Sequence, residues 1–305
     1  MSKYLLSDNN SDFLEPTVTQ YGSSMVMTNV NKPRKTMYLN IDTKFTDDYD
    51  KRSQKRNDEN FTITLPERIN DVRSVTVSQV EIPIVFHNMS LDLGNSYFAA
   101  QNDTTKVKTV VKLPDGYYNE SNTHTFLANM PSDLKLTMNP NKRLELSNIS
   151  SSMYIINFAV NENGDDDKYS VNSKLGWLLG FRKNIYTIEP NKSIVAESLM
   201  DCTPIRYMYL VLDEFTNSCP NSFMSFYTHS QMNKKIIAKI PLGSSIQPRT
   251  LLTGNDKNGV LISDTRLYNG KVDLQRLNVR LVNEWGKVID LNGSDFSFLL
   301  KIEHE

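Results

Sequence analysis

Cysteine is nearly absent: Cys202 and Cys219 are the only two in 305 residues. Two thiols cannot make the disulfide framework that holds small secreted domains together, and each is read as a buried, inert thiol. The first residues, Met1-Ser2-Lys3-Tyr4-Leu5-Leu6-Ser7-Asp8, lack the apolar stretch of an export signal, so folding in a reducing cytoplasm is expected. Asn-x-Ser/Thr triplets such as Asn60-Phe61-Thr62 and Asn88-Met89-Ser90 are then coincidences of an Asn-rich chain. No apolar run approaches the ~18 residues of a membrane span. Positive charge is not in excess either: 34 basic and 35 acidic residues leave a formal net charge of −1. Gripping a phosphate backbone needs a basic surplus, so no dedicated nucleic-acid site is expected.

Reactive constellations are missing too. Four histidines, His87, His124, His229 and His304, stand far apart, and no His-x-His or His-Glu-x-x-His pair occurs. There is no phosphate-cradling glycine loop and no Gly-x-Ser-x-Gly elbow. Gly176-Trp177-Leu178-Leu179-Gly180-Phe181 has glycines, but its bulky residues describe a tightly packed helix with a glycine stop. Asn161-Glu162-Asn163-Gly164-Asp165-Asp166-Asp167 crowds oxygen ligands as a calcium loop does. Its twelfth position is Asn172 where a bidentate Glu would be needed, so it is read as a solvated acidic hairpin turn. Lys51-Arg52-Ser53-Gln54-Lys55-Arg56 is basic, but Asp47, Asp48, Asp50, Asp58 and Glu59 surround it, and a solvated loop follows. No catalytic, cofactor-binding or metal-ligating residue is assigned, and no cofactor is expected.

What the chain does contain is alternation. Met37–Ile41, Phe61–Leu65 and Val72–Ile82 alternate with period two, the pattern of strands with one face in a core. Pro66 is expected to stop the second of these. Tyr97–Ala99, Lys108–Leu113, Leu134–Met138, Arg143–Leu146, Tyr154–Val160, Tyr207–Leu212, Lys235–Ile240, Leu277–Val282 and Phe296–Ile302 continue the series. Pro114-Asp115-Gly116, Asn139-Pro140-Asn141-Lys142 and Asn163-Gly164-Asp165 are turn signals between them. Helices are expected only at Asn119–Met130 and Ser173–Leu179.

Residues 1–36 differ from the rest. They are polar, with only short apolar pieces such as Ser24-Met25-Val26-Met27, and cannot offset their chain entropy by burial. They form an arm without its own core, about 110–120 Å long if fully extended at ~3.3 Å per residue. About ten short strands, polar turns, no internal repeat and no regular βα alternation predict an all-β fold over residues 37–305. A single jelly-roll β-sandwich of about eight core strands, with a few short helices in its connections, fits that length.

Three blocks carry a resemblance. The first is Tyr38–Phe45, then Phe61–Ile69 and Val77–Pro83; the second is Lys174–Arg182 followed by Tyr209–Phe215. The third runs from Leu277 to Glu303 and includes Val282-Asn283-Glu284-Trp285-Gly286 and Asp290–Phe298. In this order they resemble the penton (vertex) capsid proteins of nucleocytoplasmic large DNA viruses and their virophages. The resemblance implies a non-catalytic upright jelly roll, five copies of which close each icosahedral vertex. Implied partners are four further copies of the chain, in a homopentamer, and the neighbouring major and minor capsid proteins. The implied location is the virion, with assembly in the host cytoplasm. A minor capsid or vertex-associated jelly roll binding a host receptor or carbohydrate is the second reading, with Tyr117-Tyr118 or Phe223–Tyr227 as a candidate aromatic rim.

Overall fold

The computed structural model describes residues 33–46, 60–118, 130–167, 171–201, 203, 205–216, 235–243 and 248–305, and the backbone of two short hairpins outside them. In chain order the strands begin with β1 (Val18–Thr19), β2 (Gly22–Ser23), β3 (Lys35–Asp42), β4 (Tyr49–Asp50), β5 (Lys55–Arg56) and β6 (Asn60–Pro83). Next come β7 (Tyr97–Asn102), β8 (Lys108–Lys112), β9 (Leu134–Met138), β10 (Leu144–Asn148) and β11 (Tyr154–Asn157). A single-turn helix α1 (Leu175–Leu178) precedes β12 (Ile185–Ile188), β13 (Ser193–Val195) and β14 (Tyr207–Asp213). The last are β15 (Ile236–Pro241), β16 (Leu251–Asn255), β17 (Ile262–Ser263), β18 (Arg266–Asn283) and β19 (Ser297–His304). β1 pairs with β2, and β4 with β5. The fold is all-β, of jelly-roll type, built from curled antiparallel sheets.

The largest sheet has eight strands. Its order is β17-β15-β14-β18-β6-β19-β3, with β16 added to the end of β6. β6 is its spine, pairing with β18, β19 and β16. A 24-residue strand cannot stay flat, and the spacing of its core residues shows where it bends. Phe61, Leu65, Ile69, Val72, Val75, Val77, Val80 and Ile82 are all buried. Steps of two or four keep a side chain on one face; steps of three do not. Each three-residue step, Ile69 to Val72, Val72 to Val75 and Val77 to Val80, coincides with a shift of register against β18 or β19. An extra residue at each bulge restores the inward face after a turn of the strand. At the last of them the Ser78 hydroxyl donates to the Leu299 carbonyl.

Pro66 does not stop the strand. Between Thr64↔Arg276 and Ile69↔Leu274, β6 spends five residues against two of β18. Pro66 lies in this bulge, where its missing N–H costs no ladder bond. The next bend is held by charge. Asp71 takes φ +56°, its N–H donates to Asp273, and Arg68 donates to the same carboxylate at 2.5 Å. The Glu305 side chain accepts from Arg73 and pairs with Lys271, both at 2.5 Å.

The expected strands are present, several of them longer than read from sequence. Leu277–Val282 is the second half of β18, whose first half, Arg266–Arg276, is polar and interrupted by register shifts. Tyr154–Val160 shortens to β11, with Val160 in an isolated bridge to Asp166. β12, β13, β16 and β17 were not expected. The Ser173–Leu179 helix reduces to α1 behind a 3-10 turn at Val171–Ser173. The Asn119–Met130 helix lies outside the described residues except for Met130.

Two large cores result. The first fills the curl of the main sheet and includes Phe61, Phe296, Phe298, Leu210, Leu277 and Ile302. The second lies between a four-stranded sheet, β12-β11-β7-β8, and a three-stranded one, β13-β10-β9. Its centre is aromatic: Phe158 stacks on Phe181 at 5.1 Å, and Tyr186 meets both edge-on. Every strand of this second unit comes from between β6 and β14, so the main sheet is completed by residues on both sides of it.

One buried ion pair ties the start of β18 to β14 and β15. Arg266 is paired with Glu214, their side chains 2% and 0% exposed, and it also donates to the carbonyls of Leu212 and Lys235. Tyr268 donates to the same Glu214 oxygen at 2.7 Å. Removing one partner strands the other without water, so Arg266→Met is expected to cost about 3–5 kcal/mol in urea unfolding. A loss below about 1 kcal/mol would mean that the pair does not organise this end of the sheet.

The bend also responds to acid. Hydrogen bonding to Lys271, then to Arg73, holds Glu305 below its ordinary value of 4.5. A depressed carboxylate stabilises the fold above its unfolded pKa, and the contribution disappears as pH falls through the folded one. The melting-temperature gap between wild type and Glu305→Gln is therefore expected to be present at neutral pH and to shrink as pH falls below 4.5. A gap independent of pH would contradict this role.

Candidate functional site

The residues singled out for chemistry do not converge. His87 and His304 are both half-buried, the first beyond the end of β6 and the second in β19. His124, His229, Cys202 and Cys219 lie outside the described residues, as do Phe223–Tyr227 and the side chains of Lys51–Arg56. Among the described residues, no three His, Cys, Asp or Glu side chains group closely enough to hold a metal ion.

Asn161–Asp167 is a hairpin turn organised by Asn161, whose side-chain oxygen accepts from the N–H groups of Asn163 and Asp165, both at 2.9 Å. Asp166 accepts from Asn157, and Asp167 pairs with the buried Lys174. Tyr118 does not stand on a rim. It is 4% exposed, its hydroxyl donates to Pro114, and its N–H donates to Asn88. The neighbouring aromatic at 117 is half-buried, so this pair offers no exposed aromatic platform.

The structure brings together something the sequence left apart. A cleft of about 330 Å³ opens between the two large cores, and both tryptophans of the chain, Trp177 and Trp285, line it. Each is set by local geometry. Gly176 packs so closely on Phe158 that a Cβ there would sit 2.2 Å from the ring, which fixes α1 against the second core and directs Trp177 to the other side. The Arg182 guanidinium lies over the Trp177 ring at 4.1 Å and donates to its carbonyl at 2.8 Å.

Trp285 sits in the turn that ends β18. There the Asn283 side-chain oxygen accepts from the N–H groups of Trp285 and Lys287, both at 2.9 Å, and Gly286 takes φ +78°. A left-handed residue at that position is what lets the chain reverse within five residues. The Val282↔Val288 bridge and the Ile289 N–H to Leu281 bond hold the returning segment.

Charges are balanced around the rings. Asp201 pairs with Arg206 at 3.0 Å, and its N–H donates to Leu178. Glu284 accepts from the Arg206 N–H at 3.2 Å, and burial raises its pKa. Lys287 reaches across to the Leu93 carbonyl at 2.7 Å; burial, followed by the nearby Lys174 charge, lowers its pKa. The cleft therefore combines flat apolar rings with donors and acceptors of both signs on a fixed frame.

A second feature lies at the β3 edge of the main sheet, which has no further strand among the described residues. β3 ends the strand order and carries Met37 and Tyr38, with Phe45 just beyond it 83% exposed. A groove of about 510 Å³ runs between this strand and the start of β6.

Two solved structures match most of the chain. The crystal structure of mavirus penton protein is 8% identical, with a TM-score of 0.42, over 89% of this chain and 100% of that one. A chain of the Sputnik virophage, solved by cryo-electron microscopy, is 11% identical with a TM-score of 0.40, over 90% of this chain and 98% of that one. No protein-family model and no curated protein sequence matches the chain.

The close approach at Gly176 makes a direct prediction. Gly176→Ala must push α1 off Phe158, at an expected cost of about 1–3 kcal/mol. It should also shift the tryptophan emission, since α1 carries Trp177. Unchanged stability and emission would mean that Gly176 does not set the position of Trp177.

Proposed function

We propose that this chain is the vertex subunit of an icosahedral DNA-virus or virophage shell, five copies closing each vertex by self-assembly. The observation that carries the reading is where the three resembling blocks fall. Tyr38–Phe45, Phe61–Ile69, Val77–Pro83, Tyr209–Phe215 and Leu277–Glu303 are far apart in sequence. They supply β3, β6, β14, β18 and β19, which are consecutive in the sheet order β14-β18-β6-β19-β3. Lys174–Arg182 lies apart from that sheet, on α1 at the cleft.

The edges of the sheet support an assembly role. A five-fold ring is a closed heterologous assembly, in which one flank of each subunit meets a different flank of the next. β3 is one end of the strand order and β17 the other, and each carries exposed apolar side chains: Tyr38 at 61% and Ile262 at 50%. Exposed apolar edges of this kind are templates for pairing with another chain. In this reading residues 37–305 are the jelly-roll unit, with the strands from 97 to 195 as its second lobe, and residues 1–36 are an arm toward neighbouring shell proteins. Its mechanism is shape-directed packing in the virion, with no catalytic step.

Native mass spectrometry with negative-stain imaging tests this. Five-fold rings are expected, and the double variant Tyr38→Lys/Phe45→Lys should leave monomers while changing stability by no more than about 0.5 kcal/mol. A stable dimer or trimer, or rings indifferent to the two lysines, would overturn the assignment of this edge to a five-fold contact.

A further inference from the structure

The cleft between the two cores has a composition that assembly does not require. Both tryptophans of the chain and Tyr207 line it, beside Asp201, Arg206 and Glu284. Tyr207 is held as Trp177 is, by a cation over its ring, here Lys239 at 4.1 Å. We propose that this cleft binds a neutral saccharide, its rings packing on a pyranose face while the carboxylates and Arg206 bond the hydroxyl groups around that face.

Elimination by chemistry leads there. A purely apolar ligand would cover the Glu284 carboxylate without offering its second oxygen a donor, and an unpaired buried acceptor is costly. A phosphate or other anion would face the Asp201 and Glu284 carboxylates. A cation would face Arg206 and Lys287. Two acidic and two basic groups leave the cleft formally neutral.

A sugar satisfies every part of the set. One pyranose face is rich in C–H and flat enough to lie on an aromatic ring. Its rim carries hydroxyls that both donate and accept, which suits carboxylates and a guanidinium side by side. Among the described residues Glu284 uses Oε2 for the Arg206 N–H, leaving Oε1 for a ligand hydroxyl. At about 330 Å³ the cleft lies at the small end of the ~300–1,000 Å³ range of ligand pockets, suited to a short oligosaccharide or its terminal residue.

The walls are also fixed before binding. The Asn283 turn holds Trp285, the Asp201 N–H is bonded to Leu178, and Lys287 straps the turn to Leu93. A preformed site spends little of its interaction energy on ordering itself.

Because the chain has only these two tryptophans, its emission under tryptophan-selective excitation reports on the cleft. The full chain is titrated with lactose, N,N′-diacetylchitobiose and mannobiose while emission is followed. A saturable blue shift with at least one of them is expected, as sugar replaces water at the rings. Glu284→Gln, which keeps the shape, should weaken binding by about fivefold or more, and Trp285→Ala should remove it. The proposal is overturned by no saturable change with any of the three, or by a change that Glu284→Gln leaves intact. Such a failure leaves the vertex reading standing, because ring formation is measured separately and without sugar. Sugar binding by a chain that never forms rings would overturn only the vertex reading.

Discussion

The fold depends on one long strand holding several partners at once. β6 pairs with β18 along its first half, with β19 along its second, and with β16 at its end. A strand of this length cannot keep a single face inward unless it bends. The three-residue steps in its buried series, each matched by a register shift, are how it does so. The charged side chains at the bend serve the same end. Asp71 in the left-handed region is a costly conformation for a non-glycine residue, and the bond from its N–H to Asp273 helps offset that cost.

The bends allow a sheet to enclose a core that would otherwise need two sheets. They also set where polar groups must be buried. Where β18 starts, the sheet turns in on β14 and β15, and Arg266 enters an apolar neighbourhood with Glu214 as its counter-charge. A buried pair of this kind adds little net stability compared with an apolar replacement, but losing one partner leaves the other's charge stranded. The first half of β18, Arg266–Arg276, has three register shifts against β6 and therefore little alternation to fix its alignment. Arg266 holds one end through Glu214, Leu212 and Lys235, and Asp273 holds the bend through Arg68 and Asp71.

Much of this was legible in the sequence, and the failures have physical causes. Alternation marked the second half of β6, β9 and β19, because each exposes one face and buries the other, and it marked β3, although only Ile41 of that strand is buried. Pro66 was misread because a proline stops a strand only where its N–H would have been needed, and bulges cannot be seen in one sequence. β16 was missed because Gly254 breaks its apolar pattern. In the structure that glycine lies beneath Val80, where a Cβ would be only 3.0 Å from the valine methyl. β18 was half-read for the reason just given. The cleft was the least legible part, since it draws on the segments around positions 93, 177, 206 and 285, which only the fold brings together. The one signal available was that both tryptophans fell within the resembling blocks.

That coincidence bears on how the two lobes divide their work. The edge strand β3 and the outer strand β17 belong to the main sheet, whose core is complete without the second lobe. The second lobe likewise has its own core between two smaller sheets. What joins them is the wall of the cleft: Trp177 from the inserted lobe, Trp285 from the turn that closes β18, and the Lys287 strap between turn and loop. A packed apolar contact would have joined the lobes more simply. An open seam that keeps carboxylates and aromatic rings exposed leaves area unburied and acceptors only partly paired. Boundaries between separately packed units are where ligand pockets preferentially form.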